Sequence, residues 1–203
     1  MKGLLYKDCT ILWKQGKMYL LLILIFTLVP QFTRMGFAMA YAAILPYSII
    51  AYDEQSKWPR LAIMLPYTDG QLVLSKYIFS WLGMLLVMVL SAISRTADYF
   101  INGNTVLLNE YLEVVIFTAA SSLFSAFVLP LVFRFGVERG RLMFIPVIIG
   151  GVIGTVLAGE RLAPHLRSIS LGMAVLIALL IAVAANIISI ILSRKFFRRG
   201  LRA

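Results

Sequence analysis

The chain has 203 residues, of which 61% are hydrophobic and only 14% charged, and its mean hydropathy is +0.92. A soluble domain is about half apolar and about a quarter charged, so this composition cannot cover a water-facing surface and excludes a soluble enzyme. The formal net charge of +10 would suit nucleic acid, but cytoplasmic loops rich in Lys and Arg give membrane proteins the same balance, and the placement of the charges favours the second reading.

Residues 1–17 precede the first long apolar run. Leu4, Leu5, Cys9, Ile11 and Leu12 recur at helical spacing, while Lys7 and Lys14 share another face, with Lys2 and Lys17 near the ends. The pattern predicts an amphipathic helix lying in the interface, apolar side down and lysines towards anionic headgroups. Cys9 is the only cysteine, which excludes an internal disulfide and a Cys-cluster metal site. The basic start, the apolar run and Ala38-Met39-Ala40 imitate a signal peptide. The apolar sequence continues past Ala40 into a second run, however, so the segment is expected to be retained.

Six apolar runs follow, at Met18–Thr33, Met35–Tyr52, Tyr77–Ile93, Tyr111–Phe133, Leu142–Gly159 and Ile169–Ser193. A span needs roughly 20 apolar residues, or somewhat fewer where flanking residues snorkel. The expected fold is therefore all-α and polytopic: an interfacial helix over 1–17 and a six-helix transmembrane domain over 18–203, with no separate soluble head. The first two runs are divided only near Gln31–Gly36 and should form a tight hairpin.

With the N-terminus inside, the segments on the cytoplasmic side hold 15 Lys and Arg and the outer segments hold 4. That asymmetry places both termini in the cytoplasm. It also accounts for the basic balance without nucleic acid.

The largest cytoplasmic connection is then 53–76, DEQSKWPRLAIMLPYTDGQLVLSK. Pro59 suits the first turn of a short helix, whose apolar body is Leu61 to Leu65, and Pro66 ends it. Thr68 and Gln71 read as a capping box that starts a helix running through Lys76 into the third span. Exposed Trp58 and Leu65 would make this elbow a docking surface; a helix pair resting on the membrane is the plainer alternative.

Catalytic chemistry is sparse. No phosphate-binding Gly-x4-Gly-Lys-Ser/Thr loop occurs, and the one histidine, His165, cannot by itself build a zinc protease site. Glu110 and Glu113 lie at the predicted edge of the fourth span, where solvated carboxylates are ordinary. Energy for any transport must come from a partner. Small-residue rows at Gly150, Gly154 and Ala158, and at Ala119, Ser122 and Ala126, permit close helix packing. Pro30, Pro46 and Pro130 can kink their spans.

The run Asp53-Glu54-Gln55-Ser56-Lys57-Trp58, the Leu65-Pro66 step and Val73-Leu74-Ser75-Lys76-Tyr77 resemble the ABC-2 permease family, in particular its short bacterial members. The opening Met1-Lys2-Gly3-Leu4-Leu5-Tyr6-Lys7-Asp8 is also similar to the usual start of that family. The resemblance implies an exporter-like (type V) arrangement in the bacterial cytoplasmic membrane: two permeases, identical or paralogous, paired with two separate ATPase subunits that hold ATP and Mg. This chain would then carry no cofactor of its own. The first cytoplasmic loop would carry the contact with the ATPase, through Asp53, Glu54, Lys57, Trp58, Arg60, Leu65 and Pro66. Leu4, Leu5, Lys7 and Leu12 would belong to the interfacial helix. Pro59 and Asp69 depart from the family pattern, so the partner could present a different charge there. The implied cargo is a hydrophobic or amphipathic molecule such as a peptide.

Two other classes compete. The substrate-binding membrane subunit of a vitamin importer has the same size and span number, but the long structured 53–76 loop argues against it. A membrane enzyme lacks its catalytic set.

Overall fold

The computed structural model describes residues 2–29, 36–62, 64–102, 108–166 and 170–200. Among them every regular element is an α-helix: α1 Lys2–Gln15, α2 Lys17–Leu28, α3 Phe37–Gln55, α4 Trp58–Ala62, α5 Asp69–Asn102, α6 Leu108–Leu166 and α7 Leu171–Gly200.

The expected N-terminal helix is α1. It meets α2 at Gly16, where the chain turns by 82°. A Cβ on Gly16 would sit 2.9 Å from the Leu12 carbonyl oxygen, so the close approach at this corner requires glycine. Tyr6 and Trp13, seven positions apart on one face of α1, are 77% and 71% exposed, an arrangement that suits the headgroup layer.

Among the described residues, three helices are long and apolar enough to cross a bilayer, over Asp69–Ile101, Leu108–Gly140 and Leu171–Phe197. The count becomes four if the bent α1–α2 pair is taken as one broken span. The other apolar runs stand as follows. α2, with 12 residues, is only about 18 Å long at 1.5 Å per residue, and its continuation at 30–35, with the expected hairpin, lies outside the described residues. α3 is long enough but is the packed centre of the bundle, so it carries Tyr41, Tyr47, Ser48 and Tyr52 and ends in Asp53-Glu54. The fifth run falls on the arm 137–166 of α6, where most side chains, including those of Gly154, Ala158 and His165, lie outside the described residues.

Around α3 the core is continuous. Ala38, Met39, Ala42, Ala43, Leu45 and Ile49 pack with Leu12 of α1, Ile23 of α2, Met84 and Val87 of α5, and Val114 of α6. The alanines let the neighbouring helices approach closely. A second cluster joins Tyr47 and Ile50 of α3 to Val73 and Tyr77 of α5 and to Val128, Leu129 and Val132 of α6. Outward-facing positions such as Leu82, Leu85, Leu86 and Val89 of α5 and Leu180, Val183 and Ile187 of α7 remain exposed and apolar, as a lipid-facing surface demands.

Helices α5, α6 and α7 are joined by a polar seam through this apolar body. The Tyr77 hydroxyl lies 2.5 Å from Ser189 Oγ and 2.7 Å from Ser193 Oγ, and Ser189 donates to the Ala126 carbonyl at 2.5 Å. Ser80 pairs with Ser125 at 2.9 Å. Asn186 accepts from Trp81 Nε1 at 3.2 Å and donates to Ser122 Oγ at 2.7 Å. The row Ala119, Ser122 and Ala126 thus packs within the chain, against α7.

Helix α6 is interrupted at Gly136, whose φ of 77° and ψ of 176° are not helical. This left-handed, extended combination is essentially restricted to glycine. It separates an arm over 108–135 from the arm over 137–166.

Candidate functional site

The candidate site is the elbow 53–76 together with the groups that fasten it to the bundle. Its second helix begins as the sequence predicts. Thr68 N–H donates to Gln71 Oε1 at 3.2 Å, and Gln71 N–H donates to Thr68 Oγ1 at 3.3 Å, the reciprocal bonds of a capping box. From there α5 runs unbroken for 34 residues, so the second helix of the elbow and the third apolar run form one rod.

At the other end of the elbow, Asp53 is 5% exposed and accepts from two lysines. Lys7 Nζ of α1 lies 2.7 Å from Asp53 Oδ1, and Lys76 Nζ of α5 lies 2.6 Å from Oδ2. Asp8 of α1, fully buried, closes the group at 3.0 Å from Lys7 and 2.7 Å from Lys76. Two cations and two anions alternate, so the cluster is neutral. Each lysine touches both carboxylates, which offsets the cost of burying four charges. Asp8 Oδ2 alone has no partner. The cluster ties α1, α3 and α5 together at one point.

Glu54 does something different. Its carboxylate accepts from the Val137 backbone N–H through both oxygens, at 3.1 and 3.0 Å. This N–H follows the break at Gly136 and opens a new helical arm, so it lacks the partner that a continuous helix would give it. Tyr47 adds a bond from its hydroxyl to the Val137 carbonyl at 3.2 Å.

The remaining predicted residues are distributed as follows. Lys57 is exposed and holds φ at 54°, in the left-handed region unusual for a side-chain-bearing residue; its N–H donates to the Glu54 carbonyl at 3.0 Å. Trp58 is half-buried rather than exposed, because Lys7 Nζ sits 4.5 Å from its ring centroid and draws it inward by cation–π attraction. Arg60 lies in α4, but its side chain is outside the described ones. Leu65, 40% exposed, keeps its predicted accessibility and is joined by Leu61 at 53% and Met64 at 83%. Pro66 is exposed beside them. The apolar outward patch is therefore Leu61, Met64 and Leu65, with Trp58 behind it.

On α1, Leu4 and Leu12 are 2% and 5% exposed against the bundle, and Leu5 is half-buried. Lys7 serves the ion cluster and not a headgroup. The expected face of α1 is thus rotated: Leu4, Asp8 and Leu12 point inward and the aromatic side points out. Sequence reasoning did not single out Asp8 and Lys76 as site residues, although both stand inside the quoted family motifs. A cavity of about 400 Å³ opens beside the cluster, walled by Leu4, Ile50, Trp58, Val132, Phe133 and Phe197.

At the other end of α5, Arg95 is 2% exposed. Its Nη1 donates to the Glu110 carbonyl at 2.7 Å and lies 3.8 and 3.7 Å from the Glu110 and Glu113 carboxylates. Its Nε and Nη2 have no partner.

The ion cluster and the helix cap at Val137 fasten helices to one another, and the apolar patch faces outward. The long apolar helices define a helical membrane protein. The family model described as ABC-2 family transporter protein matches residues 3–198, and the chain belongs to that family. Members of the family generally work with ABC ATPase partners. No curated protein and no solved structure matches the chain.

Proposed function

We propose that this chain is the permease subunit of an ATP-driven exporter in a bacterial cytoplasmic membrane. Two copies, or one copy and a paralogue, form the path, and two separate ATPase subunits bind ATP and Mg and do the hydrolysis. The chain crosses the bilayer six times with both termini in the cytoplasm, as the 15-to-4 distribution of Lys and Arg favours. The cargo is hydrophobic or amphipathic, of the peptide class.

The observation that carries this reading is the construction of the elbow. Its middle presents Leu61, Met64 and Leu65 outward, while its two ends, Asp53 and Lys76, are bonded to each other at 2.6 Å. An ATPase that grips the apolar patch therefore pushes on α3 and α5 together. Because α5 continues from the capping box without a break, the push tilts a whole membrane-crossing helix. Large apolar side chains would supply most of the contact energy, and Lys57 would mainly orient the encounter.

The test is purification of the tagged chain from its native host in mild detergent. A nucleotide-binding ATPase subunit should come with it in stoichiometric amount, and the complex should hydrolyse ATP. Isolation of the chain without any ATPase, or with a small vitamin tightly bound to it alone, refutes the reading and favours an importer subunit.

A further inference from the structure

The break at Gly136 and the carboxylate that caps it lie 82 positions apart in the sequence but meet in space. Gly136 adopts φ 77° and ψ 176°, a conformation that leaves the following N–H outside the helical ladder of the arm 108–135. A peptide N–H buried without a partner costs about as much as a lost hydrogen bond; this one is exposed to water, so the gain from a carboxylate partner rests on its charge. Here Val137 N–H is taken by both oxygens of Glu54, at 3.0 and 3.1 Å. An ionised acceptor at the first turn of a helix also meets the positive end of the helix dipole. Space is tight as well as polar: a Cβ on Gly136 would lie 3.3 Å from Glu54 Oε1.

Glu54 stands next to Asp53, the residue bonded to both lysines of the ion cluster, and four residues before Trp58 begins α4. Its carbonyl accepts from the N–H of left-handed Lys57. Displacement of α4 therefore moves Glu54 first, through a turn of three residues.

We propose that Glu54 is a positioning residue, a latch that holds the arm 137–166 at a glycine hinge and releases or redirects it when the elbow moves. Adjacent carboxylates on one turn thus serve different helices: Asp53 transmits to α1 and α5, Glu54 to the arm beyond Gly136. The transport half of this inference rests on the permease reading; the latch itself does not.

The latch is tested on the purified chain alone, in nanodiscs, by hydrogen–deuterium exchange of the Val137 amide. Glu54→Gln keeps the shape but removes the charge, and Glu54→Ala removes the acceptor. Exchange at Val137 should rise about tenfold in the alanine variant and less in the glutamine variant, while amides of α5 and α7 keep their wild-type rates. Unchanged exchange at Val137 in both variants overturns the latch. Equal acceleration throughout α5 and α7 overturns it too, since Glu54 would then act only through global stability. The second arm uses the complex with the ATPase that co-purifies. Because the Glu54 carboxylate is taken up by Val137 and the docking patch of Leu61, Met64 and Leu65 is left intact, Glu54→Gln should retain the ATPase yet lose the change in hydrolysis rate that the wild-type chain imposes on it. Retention of that rate change, with Val137 exchange raised, refutes the transmission role while leaving the permease reading intact. Failure of any ATPase to co-purify, with Val137 exchange raised, refutes the permease reading and the transmission role but leaves the latch standing.

Discussion

Asp53→Asn is the sharpest perturbation of the elbow, because it removes one charge from a balanced group of four without changing shape. In the wild type, Asp53 and Asp8 face Lys7 and Lys76 at 2.6 to 3.0 Å. With Asp53 neutral, one carboxylate remains for two lysines, and Lys76, whose side chain is 8% exposed, cannot turn to water. Removing one partner of a buried ion pair costs about 3–5 kcal/mol. Lys7 is 20% exposed and recovers part of its hydration, so the expected loss sits at the low end, about 3 kcal/mol. Equilibrium unfolding in mixed micelles, followed by the fluorescence of Trp58 beside Lys7, measures it. Lys76→Met should cost a similar amount. The double variant restores neutrality through the Lys7–Asp8 pair and should cost less than the sum by at least about 1 kcal/mol. Asp53→Asn within about 0.5 kcal/mol of wild type, a range typical of surface substitutions, would refute the assignment of a structural ion cluster. Strict additivity in the double variant would refute it equally.

Three further outcomes are expected. Met64→Ser and Leu65→Ala together should weaken capture of the ATPase by about 1–3 kcal/mol and leave unfolding of the isolated chain unchanged; undiminished capture in pull-down would show that the partner docks elsewhere. Asn186→Leu removes the bonds to Trp81 and Ser122 and should lower stability by about 1 kcal/mol, a small figure because polar pairs inside bilayers average well under that each; the same micelle titration reads it, and an increase in stability would contradict the seam. In a Cys9→Ser background, Met64→Cys should resist an impermeant maleimide on intact cells while Phe100→Cys reacts, and the reverse pattern would invert the orientation.

Much of the elbow was legible because its signals are local. Thr68 and Gln71 are three positions apart, and their capping bonds follow from residue type alone. Pro59 and the apolar body after it likewise mark a short helix, and the uninterrupted pattern from Leu72 onward gives the long rod of α5. What the sequence hid was long-range. Lys76 meets Asp8 across 68 positions, and nothing in either neighbourhood announces the other. Trp58 reads as an exposed anchor until Lys7, on a different helix, is seen to cover it. The inward face of α1 follows the same rule: Asp8 is fully buried because two lysines, one of them on a different helix, converge on it. Asn186 carries a local signal of its own. A lone amide within an apolar run is costly in lipid unless partnered, and its neighbours on α5 and α6 are those partners.

The two ends of α5 differ in how completely their charges are satisfied, and this bears on which end yields when the rod is pushed. At the Lys76 end, each of the four charges lies within 3.0 Å of two opposite charges, only Asp8 Oδ2 lacks a partner, and breaking one pair strands a buried partner. At the Arg95 end, one guanidinium nitrogen is well bonded, the carboxylates stand back at 3.7 and 3.8 Å, and two donors have no acceptor. Each buried donor without an acceptor costs about 1–3 kcal/mol, so the packing at that end is held against a local penalty. A shift of the start of α6 by about an ångström would bring Glu110 and Glu113 within hydrogen-bond reach of Arg95. Such a shift recovers energy at the Arg95 end, whereas any comparable shift at the Lys76 end spends it. A stiff helix with one locked end and one under-bonded end behaves as a lever with its fulcrum at the lock. On the permease reading, force applied through the elbow is expected to appear as displacement at the far end, between α5 and α6.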